Sequence, residues 1–142
     1  MSDAFLLDTH IALWLDSGHQ SLRASTRALI DDCWRNGGQI FLSAVSVWEI
    51  ALLVDGGRID LDLPVDAWVK RFVSRPGINV APLDHRAAGR AYQFQHLEHR
   101  DPADRLLIAT AIDLACPLIT YDDRILQFGS RHGRQYGFAV AG

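Results

Sequence analysis

The sequence predicts an α/β domain built on a mainly parallel sheet, and three observations predict it. Short apolar runs alternate with longer stretches of helical period, the pattern of strand–helix–strand units. No repeat, low-complexity tract or linker divides the chain. Its 142 residues suit one domain, 1–142, able to bury its own core.

The elements follow in order. Ala4–Leu7 reads as a buried first strand. Thr9 caps a short helix carrying Ile11, Leu13, Trp14 and Leu15. Ser21 to Trp34 is a second helix with Leu22, Leu29, Ile30 and Cys33 inward, stopped by Asn36-Gly37-Gly38. Gln39–Leu42 is the second strand. Ser43 or Ser46 caps a helix to Val54, closed by Asp55-Gly56-Gly57. Leu61–Pro64 leads into a helix through Trp68 and Phe72, ended near Pro76-Gly77. Ile78–Ala81 is a third strand, and Asp84 caps a helix to about Phe94. A polar loop, 96–100, precedes the most strongly patterned helix, opened by Asp101-Pro102 and running through Ala115. Leu118–Thr120 is a fourth strand. Asp123–Phe128 is a short helix or turn, and Phe138–Val140 a weak last strand.

Composition sets limits on function. About half the residues are apolar and the formal net charge is −3, so no bulk basic field announces nucleic acid. Every basic residue but Lys70 is arginine, whose planar fork suits phosphates or an acidic partner. Cys33 and Cys116 stand far apart in apolar company, without zinc-site spacing. They read as buried, reduced thiols of a cytoplasmic protein. No signal peptide or membrane-spanning run is present.

Four acids stand where a surface acid is not expected. Asp8 directly follows Phe5-Leu6-Leu7, and Asp122 follows Leu118-Ile119-Thr120 at a similar place. In open α/β sheets, ligands bind just beyond such strand ends. Glu49 lies inside a helix that is apolar nearly all round. Asp104 lies in the first turn of the Asp101 helix. Each has a plain structural reading: a turn aspartate, a helix-dipole acid, or a bridge from Glu49 to an arginine such as Arg105. Their concurrence at one sheet edge points elsewhere. Clustered carboxylates cannot all stay ionised without a counter-charge, and Mg²⁺ or Mn²⁺ supplies it with hard-oxygen preference and room for phosphate. No nucleophilic cysteine, Ser-His-Asp order or Walker lysine offers a competing chemistry.

The motifs Leu6-Leu7-Asp8-Thr9-His10, Leu42-Ser43-Ala44-Val45-Ser46-Val47-Trp48-Glu49-Ile50, Asp101-Pro102-Ala103-Asp104-Arg105-Leu106-Leu107-Ile108-Ala109 and Ile119-Thr120-Tyr121-Asp122 are similar to the successive motifs of PIN domains. The chain most resembles the VapC-like group with a DPxDRLLIA signature. The resemblance covers essentially the whole chain. It implies a three-layer α/β/α fold with a parallel sheet, a Mg²⁺/Mn²⁺ site, and endonucleolytic cleavage of RNA as the toxin of a toxin–antitoxin pair. By position it makes Asp8, Glu49, Asp104 and Asp122 the metal-binding and catalytic quartet, with Asp123 an alternate to Asp122. Asp101 is a helix cap or an outer support of the metal. Thr9 and Ser46 cap helices or orient metal-bound water. The implied partners are a VapB-type antitoxin, an RNA substrate, and a second copy in a homodimer or toxin–antitoxin hetero-oligomer.

Arg75, Arg86, Arg100 and Arg105 are candidates for holding RNA. Trp14, Trp34, Trp48, Trp68 and Tyr92 fall at helical spacing and read as core or interface, with Trp14, Leu52, Leu53 and Trp68 the apolar candidates for a dimer face. Two alternatives compete. One is a PIN-like partner platform without catalysis, against which the four intact acids stand. The other is a metal-dependent phosphoryl-transfer domain. A receiver-type site needs a late lysine, and a dehalogenase-type site needs DxDxT where Asp8-Thr9-His10 stands.

Overall fold

A computed structural model describes residues 3–98 and 100–142. Position 99, in the polar loop expected at 96–100, lies outside the described residues. The elements run β1 (Ala4–Leu7), α1 (Thr9–Ser17), α2 (Ala24–Arg35), β2 (Gln39–Ser43), α3 (Ala44–Asp55), α4 (Val65–Val73), β3 (Ile78–Ala81), α5 (His85–Arg90), α6 (Pro102–Leu114), β4 (Leu118–Ile119), α7 (Asp123–Tyr136) and β5 (Val140–Ala141). The five strands are ordered β3-β2-β1-β4-β5, and every pairing is parallel.

The sheet is covered on both faces, which is why its strands read as apolar runs. Side chains alternate along β1: Phe5 and Leu7 enter one core layer with Ile11, Ile50, Trp68 and Phe72. Leu6 enters the other, with Leu107, Ile108, Leu118 and Ile125. Helices α1, α2 and α4 supply the first layer and α5, α6 and α7 the second, while α3 contributes Ile50 to the first and Val45 to the second. This is the expected three-layer architecture.

The strand order fixes where a ligand can go. The chain moves outward from β1 to β2 and β3, then returns to lay β4 on the other side of β1. Beyond the carboxyl ends of β1 and β4 the connections diverge and leave a crevice, the usual ligand position in such sheets.

Several local expectations are corrected. Asp8 caps α1, accepting from the Thr9 amide at 2.7 Å, so Thr9 is the first residue inside. Ser43, not Ser46, caps α3. The second helix begins at Ala24, not Ser21. The short helix or turn expected at 123–128 is a fourteen-residue helix, α7. Its glycines obscured it in the sequence, because glycine lowers helix propensity. Gly133 has a packing reason: a Cβ there would stand 2.4 Å from the Phe138 carbonyl oxygen, where the chain folds back towards β5.

Of the aromatic residues expected in core or interface, Trp68 is buried, whereas Trp34, Trp48 and Tyr92 are exposed. Both cysteines are free and buried, and burial pushes the Cys116 thiol up to about 11. Among the described residues no helix is long and apolar enough to cross a membrane.

Candidate active site

A cleft of about 420 Å³ opens at the switch point, with Asp8, Glu49, Asp101, Asp104 and Asp122 all on its wall. All four acids singled out from the sequence are therefore brought to one depression. They arrive from four separate segments. Asp8 ends β1, Glu49 stands in the second turn of α3, Asp104 in the first turn of α6, and Asp122 follows β4.

Of the five acids on the wall, Asp8, Asp101 and Asp122 are helix N-caps. Asp8 caps α1. Asp101 Oδ1 accepts from the amides of Ala103 at 2.9 Å and Asp104 at 3.3 Å. Asp122 Oδ1 accepts from the amides of Arg124 at 2.9 Å and Ile125 at 3.2 Å. The positive ends of α1, α6 and α7 thus meet at the cleft, which favours anionic charge there.

Hydroxyls tie the acids together. The Thr120 hydroxyl donates to Asp8 Oδ2 at 2.7 Å and accepts from the Asp122 amide at 3.1 Å. The Thr9 hydroxyl bonds both Glu49 Oε1 at 2.5 Å and Ser46 Oγ at 2.9 Å. Thr9 and Ser46 are fully buried: Thr9 holds Glu49, Ser46 bonds Thr9, and neither caps a helix.

The electrostatics favour protons on two acids. Burial raises the Asp8 carboxyl above its ordinary value, although Thr120 and the Thr9 amide draw it back. Glu49 is raised chiefly by burial, then by the charges of Asp8 and Asp101, against the Thr9 hydrogen bond. Raised carboxyls lining one cleft are a donor set that a hard divalent cation would neutralise. Among the described residues no group of three or more His, Cys, Asp or Glu side chains is arranged to hold a metal ion as it stands. Asp8, Asp101 and Asp122 are each turned towards amides or a hydroxyl of the protein, and Glu49 towards Thr9.

The rest of the wall escaped the sequence reading. His10, Trp14, Tyr121 and Arg124 line the cleft. Trp14 packs against His10 and Tyr121, with centroids 5.8 and 5.9 Å away. The Tyr121 hydroxyl accepts from the Arg23 amide at 3.0 Å and lies 2.6 Å from Thr26 Oγ1, which fixes that wall. Thr120 stood in a quoted motif, and a threonine two residues before an aspartate is the spacing of a side-chain turn.

The arginines expected to hold RNA are placed otherwise. Arg105 is buried, donating to the carbonyls of Ala91 at 3.0 Å and Leu97 at 2.5 Å, so it pins the loop after α5. Arg75 approaches Asp16 at 3.5 Å, and Arg86 folds back on the Asp84 cap at 3.1 Å. Arg100 is exposed.

Residues 5–130 match the family model described as PIN domain. The chain belongs to the PIN-domain family. This PIN domain is 30% identical over 120 residues to Ribonuclease VapC22 of Mycobacterium tuberculosis, covering 84% of this chain and 88% of that protein. It also aligns with a chain in the crystal structure of VapBC2 from Rickettsia felis bound to a DNA fragment from their promoter, at a TM-score of 0.69 and 15% identity, covering 97% of each chain. A chain of FitAcB from Neisseria gonorrhoeae aligns at a TM-score of 0.62 and 20% identity, covering 97% of this PIN domain and 96% of that chain. These two structures support the fold.

Proposed function

We propose that this PIN domain is an endoribonuclease that hydrolyses RNA phosphodiester bonds in its acidic cleft, and that it acts as the toxin of a VapBC-type pair. The observation that carries the reading is the convergence of Asp8, Glu49, Asp104 and Asp122 on one cleft at the sheet's switch point. The ribonuclease name of its relative from Mycobacterium tuberculosis supports the same reading.

Asp8, Glu49, Asp104 and Asp122 would hold Mg²⁺ or Mn²⁺, which neutralises their charge and polarises water and phosphate oxygen. Glu49 has a carboxyl raised towards proton uptake. It accepts the proton of a water attacking phosphorus in line, and the 3′-oxygen leaves with a proton from solvent. The products are a 5′-phosphate and a 3′-hydroxyl, without use of the RNA 2′-hydroxyl. Asp8, held at both carboxylate oxygens by Thr120 and the Thr9 amide, fixes the cleft floor. The N-termini of α1, α6 and α7 favour the phosphate that enters.

The partner in this reading is a VapB-type antitoxin, in keeping with structural relatives solved as VapBC and FitAB complexes. The protein works in the cytoplasm, alone as a homodimer or with the antitoxin as a hetero-oligomer. Trp48 and Leu52, more than half exposed on α3, offer apolar area for such contacts.

The test is cleavage of total RNA by purified protein in Mg²⁺ and, separately, in Mn²⁺, with EDTA as control and mapped ends. Asp8→Asn should keep the fold and abolish cleavage. Wild-type protein that leaves RNA intact in both metals would leave a partner-binding platform as the reading.

A further inference from the structure

Arg124 stands in the wall of two neighbouring depressions. One is the acidic cleft. The other, of about 380 Å³, lies between α7 and the loop after α5. Its character is opposite. Arg124, Gln127 and Arg131 line it at i, i+3 and i+7 of α7, and so share one helical stripe. Gln95 and His96 face them from the loop, and Glu98 is the acid that lines it. Helix α7 bears three arginines, at 124, 131 and 134, against the single acid Asp123, in a chain of net charge −3.

The basic groups are open to an outside anion. Arg131 is exposed. The Arg124 side chain is 66% exposed, and its approach to Asp122 Oδ1 is 4.0 Å. Beside Arg131 the rings of His96 and His132 stack, with centroids 4.1 Å apart and planes at 18°. Tyr136 steadies the pair, its hydroxyl 2.8 Å from His96 Nδ1. The two lining arginines are seven residues apart, roughly 10 Å along the helix. That separation is too large for one phosphate and suits successive positions of a strand.

We propose that this groove is a second RNA subsite. Arg124 and Arg131 hold phosphodiesters of the strand flanking the bond in the acidic cleft, and the histidine stack gives a flat face to a base. That the ligand is RNA rests on the nuclease reading; the groove's charge and shape do not. An acidic protein segment is the competitor. Arg124 argues for RNA, because it joins the groove to the cleft in which the proposed function places a phosphodiester.

The test uses the Asp8→Asn protein in Mg²⁺ and a labelled single-stranded RNA about a dozen nucleotides long, read by anisotropy from low to moderate salt. Arg131→Ala should weaken binding roughly three- to tenfold and lower the log–log salt slope by about one. Arg131→Lys should keep most of the slope, and both variants should melt like their parent. Unchanged affinity and slope in Arg131→Ala would overturn the subsite. So would loss of binding to a polyglutamate peptide alone. Arg131-dependent RNA binding in a wild-type chain that cleaves nothing would support the groove and sink the nuclease reading. Wild-type cleavage with a KM for long RNA unaltered by Arg131→Ala would overturn the groove and spare that reading.

Discussion

Thr120 Oγ1 donates to Asp8 Oδ2 at 2.7 Å, across the seam between β4 and β1. The same hydroxyl accepts from the Asp122 amide. One buried side chain thus sets the positions of two acids that are far apart in sequence.

Thr120→Val keeps the shape of that side chain and removes both bonds. Because Thr120 is buried, the loss should cost about 1–3 kcal/mol of stability, through the Asp122 amide and Asp8 Oδ2, which both lose the Thr120 hydroxyl while Asp8 Oδ1 keeps the Thr9 amide. It should also raise the Asp8 carboxyl further, since Thr120 now lowers it. Urea unfolding measures the first effect and carboxyl NMR titration the second. An unmoved Asp8 titration would show that the bond does not set its charge.

The raised carboxyls of Asp8 and Glu49 make stability depend on pH. Both bind protons more tightly folded than unfolded. In the window above their ordinary values of 3.8 and 4.5 the native state therefore holds more protons. Stability in EDTA falls as pH rises through it. Glu49→Gln, which cannot ionise, should be more stable than the wild type at pH 7, and the two should converge near pH 4. Denaturant midpoints across that range decide the matter.

A divalent cation should reverse that penalty. Mg²⁺ or Mn²⁺ at a hundred times Kd would add about 2.7 kcal/mol. The melting temperature of the wild type should rise by several degrees and that of an Asp8→Asn, Asp104→Asn double variant by much less. Equal rises in the two would place the binding elsewhere.

Arg105 tests whether a conspicuous arginine serves RNA or the fold. Arg105→Ala should cost about 3 kcal/mol or more, since it orphans the carbonyls of Ala91 and Leu97. Arg105→Lys should recover little, because a point charge cannot span both acceptors. The salt slope of RNA binding should not change in folded Arg105→Lys.

Two helical glycines should respond oppositely. At Gly133 an added methyl meets the Phe138 carbonyl oxygen, so Gly133→Ala should destabilise by about 1–3 kcal/mol. At Gly89 nothing lies within 4 Å, so Gly89→Ala should stabilise by about 0.4–1 kcal/mol. Thermal melts of the two variants read both signs.

The same residues explain what the sequence discloses and what it hides. β1 is legible because both faces of Phe5-Leu6-Leu7 are covered. Asp8 and Asp122 are legible because each ends an apolar run at a place where sheets open. Helix α7 is not, since Gly129 and Gly133 mimic a loop signal while serving the close approach of the returning chain. Arg105 misleads because buried arginine is rare, and nothing in its neighbours announces the two carbonyls it serves. Thr9 looks like a cap and is a strut for Glu49, a role visible only once α1 and α3 are side by side.

The return of the chain from β3 to β4 has a consequence for biosynthesis. On a ribosome, the segment carrying Thr120 and Asp122 emerges after β1, α3 and α6, which carry the other acids. Until it docks beside β1, Asp8 lacks its wall and the crevice has only one bank. A nascent chain therefore carries Asp8, Glu49 and Asp104 with no pocket to gather them until β4 and Asp122 have emerged and docked.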